Sequence, residues 1–216
     1  MGTQSGKHRT GAGAAAAGST SGAGVAGAPL VDPAPTPRQR ILATAHELFY
    51  RDGIRATGID RVIAEAGVTK VTFYRQFPSK NDLILAFLEY RHQRWMGWFS
   101  EALARHGGAR GRGAAALAPA LREWLGGAGF RGCAFINSVA ELGGTLPEVM
   151  EIARRHKQEM TDALAVLLPP SRQRAQTAQA LALAVDGAIV RAQGEANPAA
   201  ALKALERVIK ALQAAG

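Results

Sequence analysis

Residues 57–80 read TGIDRVIAEAGVTKVTFYRQFPSK, and this stretch decides the fold. Val62, Ile63 and Ala66 recur at helical spacing and predict a short helix from Ile59 to Ala66 with those side chains inward. Gly67-Val68 makes a sharp turn into a second short helix, Thr69–Phe77, which Pro78 ends. Two short helices joined by a tight Gly turn, the second polar and basic, are what a helix-turn-helix requires. The first helix braces the second, which is narrow enough to enter a DNA major groove. Phe73 and Phe77 point inward, leaving Thr69, Lys70, Val71, Thr72, Tyr74 and Gln76 as the reading surface. Lys70 suits guanine O6 and N7, and Val71 or the Thr72 methyl suits a thymine methyl. Thr69, Thr72, Tyr74 and Lys80 suit phosphate oxygens, which set register without reading sequence. The competing reading has Tyr74 packing the small domain and Lys70 and Lys80 merely solvated; the joint pattern favours DNA.

Outward from this motif the periodicity stays helical. Ile41, Leu42, Ala45, Leu48 and Phe49 share one face of a helix that Thr36 caps and Asp52-Gly53 ends. Ser79-Lys80-Asn81-Asp82 reads as a capping box opening a long helix that runs to the Gly107-Gly108 break. Further helices are expected near 112–126, 133–142 and 146–168, the last opened by Thr145-Leu146-Pro147-Glu148. Ser171 caps the next, which runs to about Gln193. Asn197-Pro198 opens the last, where Leu202, Leu205, Ile209 and Leu212 stand at coiled-coil spacing. No strand alternation is sustained. The fold class is all-α, about nine helices: residues 36–82 form a three-helix DNA-binding domain and residues 83–216 a helical body. Residues 1–35, rich in Gly, Ala, Ser, Thr and Pro, read as a disordered tail whose Lys7, His8 and Arg9 are simply solvated or brush phosphates.

Charge agrees with the motif. The chain of 216 residues carries a formal net charge of +9 and a pI of about 10.4, which points to a polyanionic partner, nucleic acid or an anionic membrane face. Residues 36–80 hold eight Lys/Arg against four Asp/Glu, so positive charge is densest around the motif. Cys133 is the only cysteine, which excludes an intrachain disulfide and suits a reducing cytosol. No signal-peptide core or membrane span stands out, so a cytoplasmic protein without membrane contact is expected. No nucleophile elbow, phosphate-cradling loop or metal-ligand pair appears, so neither enzyme activity nor a cofactor or metal is expected. His46, His92, His106 and His156 read as surface or helix-packing residues, and Cys133 as a small core residue.

With Ala66-Gly67-Val68, Thr72-Phe73-Tyr74, Phe77 and Ser79-Lys80 before Leu83, residues 36–90 resemble the TetR/AcrR family of bacterial regulators. Residues 130–137, FRGCAFIN, resemble one common type of C-terminal domain in that family. Gly58 stands where the family often has Ser or Thr, and Val71 where Gly, Ala or Pro is frequent. Position by position, the resemblance implies DNA contacts at Thr57, Thr69, Lys70, Thr72, Tyr74 and Lys80. It also implies a repressor released from a palindromic double-stranded operator by a small-molecule inducer. Such proteins form homodimers through their last two helices, here about 171–193 and 198–214, and the Ala-rich 178–192 and the Leu/Ile seam fit that role or simply close the monomer core.

Trp95, Trp98, Phe99, Trp124, Phe130, Phe135 and Met150 either line an apolar ligand cavity or fill the core. Asn137 and Asp186 are polar residues on apolar helices, and burial would demand partners. Asp186 either anchors a cationic or hydroxylated ligand or pairs with an arginine such as Arg191. Two other functions stay open: a constitutive DNA-binding protein with no inducer, and a helical enzyme or lipid carrier with a basic head.

Overall fold

The computed structural model describes Gly2, residues 34–107 and residues 113–214. Most of the segment 1–35 expected to be disordered, the phosphate role of Lys7, His8 and Arg9, and most of the Gly107–Gly113 break lie outside the described residues. Among those described there are nine α-helices and no strand. They are α1 (Pro37–Asp52), α2 (Ile59–Ala66), α3 (Lys70–Gln76), α4 (Lys80–Arg105), α5 (Leu117–Leu125), α6 (Ala134–Leu142), α7 (Glu148–Val166), α8 (Arg174–Gly194) and α9 (Ala199–Ala214). The segment expected near 112–126 begins as a 3₁₀ turn, Gly113–Ala116, before becoming α5.

Side-chain caps set four of the nine described helix starts, those of α1, α3, α4 and α9. Thr36 accepts from the Gln39 amide while the Gln39 side chain accepts from the Thr36 amide, a complete capping box with Pro37 in the first turn. Ser79 caps α4 through the Asp82 amide at 3.1 Å, and its own hydroxyl donates to the Asp82 carboxylate at 2.6 Å. Asn197 caps α9 by accepting from the Ala199 amide at 2.8 Å. Two expected caps are absent. The Thr145 hydroxyl donates backward to the Leu142 carbonyl and so closes α6, while α7 starts at Glu148 without a side-chain cap. Ser171 likewise stands short of α8, which begins at Arg174 after Gln173.

From Pro35 onward the chain packs as one unit. Helices α1, α2 and α3 close around Ile41, Leu48, Val62, Phe73 and Phe77, and the start of α4 supplies Leu83, Ile84 and Phe87 to the same core. Phe49 meets Phe87 edge-on at 5.4 Å. Such aromatic pairs add roughly 0.5–1.5 kcal/mol beyond their buried area. Behind this head, α4 continues into the body, where α7, α8 and α9 pack in sequence and α5 lies against α9. Leu202, Leu205 and Ile209 are buried there, so the Leu/Ile seam of α9 closes the monomer core.

Head and body meet through directed polar contacts. The Glu141 carboxylate of α6 accepts from the Arg55 amide at 2.8 Å, and the Arg55 side chain donates to the Glu141 carbonyl at 2.7 Å. Gly53, at φ 89°, lets the end of α1 lie beside that carboxylate. The Tyr50 hydroxyl donates to the Gly132 carbonyl at 2.9 Å and accepts from the Arg131 amide at 3.0 Å.

Candidate nucleic-acid interface and interior pocket

Helix α3 is positioned by one turn and two aromatic anchors. Gly67 adopts the left-handed conformation (φ 62°, ψ 42°) and its amide returns to the end of α2. Thr69 then caps α3 by accepting from the Thr72 amide at 3.1 Å, and the two hydroxyls share a hydrogen bond of 2.9 Å. Phe73 and Phe77 are fully buried and fix the rotation of α3 about its axis. Helix α2 is braced in turn by Arg61, which pairs with Asp52 at 2.9 Å and with Glu65 at 2.9 Å. Hydrogen bonding from Arg51, foremost, holds the Asp52 carboxyl down at about 2. Gly58 starts α2 with no side-chain cap.

The rotation leaves a continuous outward face. Thr69, Lys70, Val71 and Tyr74 are exposed, and Thr72 and Gln76 are half-buried at its edge. Val71 is 77% exposed, an apolar side chain held out to solvent on a helix whose other apolar groups are buried. Lys70 has only a loose pair with Asp60 at 3.7 Å, both well exposed. A surface pair of that kind is worth roughly 0–1 kcal/mol and yields readily to a phosphate or base.

Two expected contacts do not lie on this face. Thr57 is fully buried and its hydroxyl donates to the Gly53 carbonyl at 2.8 Å, so it holds the α1–α2 turn and offers nothing to a phosphate. The Lys80 ammonium donates to the Ile54 carbonyl at 2.7 Å, and burial lowers its pKa. Lys80 therefore ties the start of α4 to the same turn, with one of its three donors engaged. Sequence reasoning also missed Arg38 and Arg75. Arg38 donates to the Gln76 carbonyl at 2.8 Å and lies over the Phe77 ring at 4.3 Å, which caps α3 with a cation from α1. Arg75 is an exposed arginine on α3. Its place after Tyr74 in a basic motif was the available signal.

In the body, Trp95, Trp124 and Phe135 line a narrow cleft of about 10 Å³ together with Arg91, Lys157 and Met160. Trp98 is half-buried against Trp95 and Trp124, Phe99 stacks on Trp95 at 4.6 Å as pure core, and Phe130 meets Trp124 edge-on at 5.2 Å. Met150 is 44% exposed on α7 and lines neither cavity. Asn137 lines a separate cavity of about 270 Å³ between the end of α1 and α6. Its amide donates to the Arg131 carbonyl at 3.0 Å. Asp186 pairs with Lys157 at 2.5 Å, whereas Arg191 is exposed and reaches Glu195, so the expected arginine partner is replaced by a lysine from α7. His46, His92 and His156 are buried packing residues. His156 stacks on Phe135 at 3.7 Å and accepts or donates to His92 at 3.1 Å; burial above all pushes its pKa down to about 2, so it is neutral. No helix among the described residues is long and apolar enough to cross a membrane.

Comparison with known proteins places this architecture. The sequence profile of bacterial regulatory proteins, tetR family, matches residues 41–87, which cover α1–α3 and the start of α4. An uncharacterized HTH-type transcriptional regulator of Bacillus subtilis, YerO, is 40% identical over 53 residues, 24% of this chain and 18% of its own length. The match thus spans less than a fifth of that relative. The fold similarity is broader. A TetR-family transcriptional regulator from Streptomyces coelicolor, SCO4454, superposes with a TM-score of 0.71 at 29% identity over 83% of this chain and 95% of its own. The multidrug binding protein EbrR, solved with malachite green, shares the fold with a TM-score of 0.64 at 23% identity over 82% of this chain and 98% of its own. Residues 41–87 thus form a DNA-binding head of the tetR family type, set on an all-helical body that shares the fold of TetR-family regulators.

Proposed function

We propose that this protein is a homodimeric, sequence-specific DNA-binding repressor that a small molecule bound in the body releases from its operator. The carrying observation is the outward face of α3, where Lys70, Val71 and Tyr74 stand exposed on a helix locked by Phe73 and Phe77. A rigid helix with a cation, an apolar tip and a phenol on one face is suited to base edges and phosphates together. Arg75 joins the surface, Thr57 leaves it, and Lys80 contributes mainly by fixing the turn behind it. For the dimer, α8 supports a seam other than the one on α9. Ala180, Leu183, Gly187, Val190 and Gly194 recur at three- and four-residue spacing, and Leu183 is 75% exposed. Two such copies would set their α3 helices about 34 Å apart, one turn of DNA, and so prefer a palindromic site.

Selection of bound DNA from a random pool at stated salt, followed by gel shift, tests this reading. A palindromic consensus should emerge. Lys70→Ala should relax base preference at one position and cost roughly 10-fold in operator affinity, since a good base contact is worth about 1–3 kcal/mol. Tyr74→Ala should weaken all sequences alike. No enriched sequence, or unchanged affinity in both variants, would remove α3 as the reading surface. The constitutive alternative is favoured by the small volume of the interior cleft, about 10 Å³. It predicts that no compound which stabilises the protein thermally also releases DNA.

A further inference from the structure

The interior cleft between α4, α5, α6 and α7 carries two groups that a closed apolar core does not explain. The Trp95 indole N–H is buried and has no hydrogen-bond partner among the described residues. Leaving such a donor unpaired costs about 1–3 kcal/mol, and such groups are rare in folded proteins. One helical turn earlier on the same face, the Arg91 guanidinium is largely buried, and no carboxylate among the described residues pairs with it. Its contacts are the Tyr50 ring at 4.0 Å and the His46 ring nitrogen at 3.2 Å, both on α1. Buried charges are ordinarily paired. The cleft wall holds Arg91 and Lys157 but no carboxylate, and Asp186 behind Lys157 neutralises that lysine alone. His156, neutral through burial, adds no charge. The apolar lining includes Trp124, Phe135, Met160 and Ile189, and Met is the side chain that most readily yields space.

We infer that this cleft binds a small aromatic carboxylate, its anion held by Arg91 and the Trp95 N–H and its ring packed among Trp124, Phe135 and Met160. The inference names the ligand class for the inducer site of the function proposed above and rests on that reading only for its biological role. The cleft of about 10 Å³ must open to admit a ring, so binding selects a conformer in which Met160 and its neighbours have moved. Because Arg91 also holds Tyr50 and His46, an anion that draws the guanidinium inward loosens α1 from the body. Ligand and DNA-binding head thus compete for one side chain.

The three tryptophans report on the cleft directly: Trp95 and Trp124 line it and Trp98 packs against both. Titration of the DNA-free full chain with 1-naphthoate, 1-naphthamide and 1-naphthylmethylamine, followed by tryptophan fluorescence, is the test. Naphthoate should saturate the signal with a Kd at least ~10-fold below that of the amide, the size expected of a charged hydrogen bond, and the amine should bind weakest. Arg91→Gln should bring the carboxylate-to-amide ratio near one, Trp95→Phe should weaken naphthoate roughly 3- to 10-fold, and Lys157→Gln should preserve the ratio. Equal binding of carboxylate and amide by the unaltered protein overturns the inference, as does no binding of naphthoate, benzoate or indole-3-acetate at millimolar concentration. So does a ratio that survives Arg91→Gln and collapses in Lys157→Gln. If Arg91→Gln fails to fold, the comparison of carboxylate and amide on the unaltered protein still decides. The readout involves no DNA, so failure of operator binding and failure of this assignment are separate results.

Discussion

The residues that separate best between reading and supporting roles are Thr57 and Lys70. Both are polar positions in the same motif, and composition treats them alike. Burial divides them: Thr57 is fully buried with its hydroxyl on the Gly53 carbonyl, and Lys70 is exposed with only a 3.7 Å partner. Thr57→Val keeps the shape and removes the hydrogen bond, which should cost about 1 kcal/mol of stability. Urea denaturation measures that loss, and gel shift well below the melting temperature should show unchanged operator affinity. A large affinity loss in a fully folded variant would return Thr57 to the DNA surface. The inward turn of Phe73 and Phe77 was legible in the sequence because it follows helical spacing alone. The burial of Thr57, the tether of Lys80 to Ile54 and the pairing of Asp186 with Lys157 were not, since each depends on a chain segment brought in by tertiary folding. Arg38 illustrates the same limit: it caps α3 from 38 residues away.

Among the elements, helix boundaries were legible wherever the stop or start is made by adjacent residues. Thr36 with Gln39, Ser79 with Asp82, and Gly67 after α2 all act within four positions of themselves. Thr145 shows where this fails: a threonine before a proline can cap forward or bond backward, and here it bonds to Leu142 and leaves α7 uncapped. Gly67 carries more consequence than any other boundary residue, because it sets the angle between α2 and α3. An L-residue in its left-handed conformation costs about 1–2 kcal/mol. Open space surrounds a Cβ there, so strain and not collision is the penalty. Gly67→Ala should lower the unfolding free energy measured by urea denaturation by that amount, and Gly67→Asn, which tolerates the conformation better, by distinctly less. Equal losses would mean that packing, and not backbone conformation, fixes the turn.

At the scale of the molecule, two properties depend on how helices are assembled. The first is the response to acid. His156 is buried on α7 beside Phe135 and His92, with Lys157 and Arg91 adding repulsion, and its folded pKa of about 2 lies below the ordinary 6.5. The unfolded chain therefore binds a proton that the folded chain refuses. That contribution to stability is fully present above pH 6.5 and is lost as pH falls from there toward 2, by about 2 kcal/mol at pH 5 for a single such group. Burial also lowers the pKa of His46, which acts in the same direction. The melting temperature should fall between pH 7 and 5, and His156→Phe should flatten that slope. An unaltered slope would assign the acid response to other groups. The second property is assembly. Leu202, Leu205 and Ile209 suit an intermolecular seam and a monomer core alike, because period alone cannot tell which neighbour a helix face meets; in the fold they are buried within their own chain, where α9 packs on α5 and α8. What α8 leaves outside is Leu183 and Val190, 75% and 51% exposed, flanking Gly187, whose Cβ position faces open space. An exposed apolar pair around a glycine permits close approach of a second helix. Leu183→Glu places a carboxylate against its symmetry mate, and light scattering should then show half the mass of the unaltered protein. Operator affinity should fall roughly 10²- to 10⁴-fold with it, because two half-sites no longer bind as one unit. A Leu183→Glu variant with unchanged mass and affinity would place the dimer contact elsewhere; an unaltered protein that is itself monomeric would leave each head to bind a single half-site.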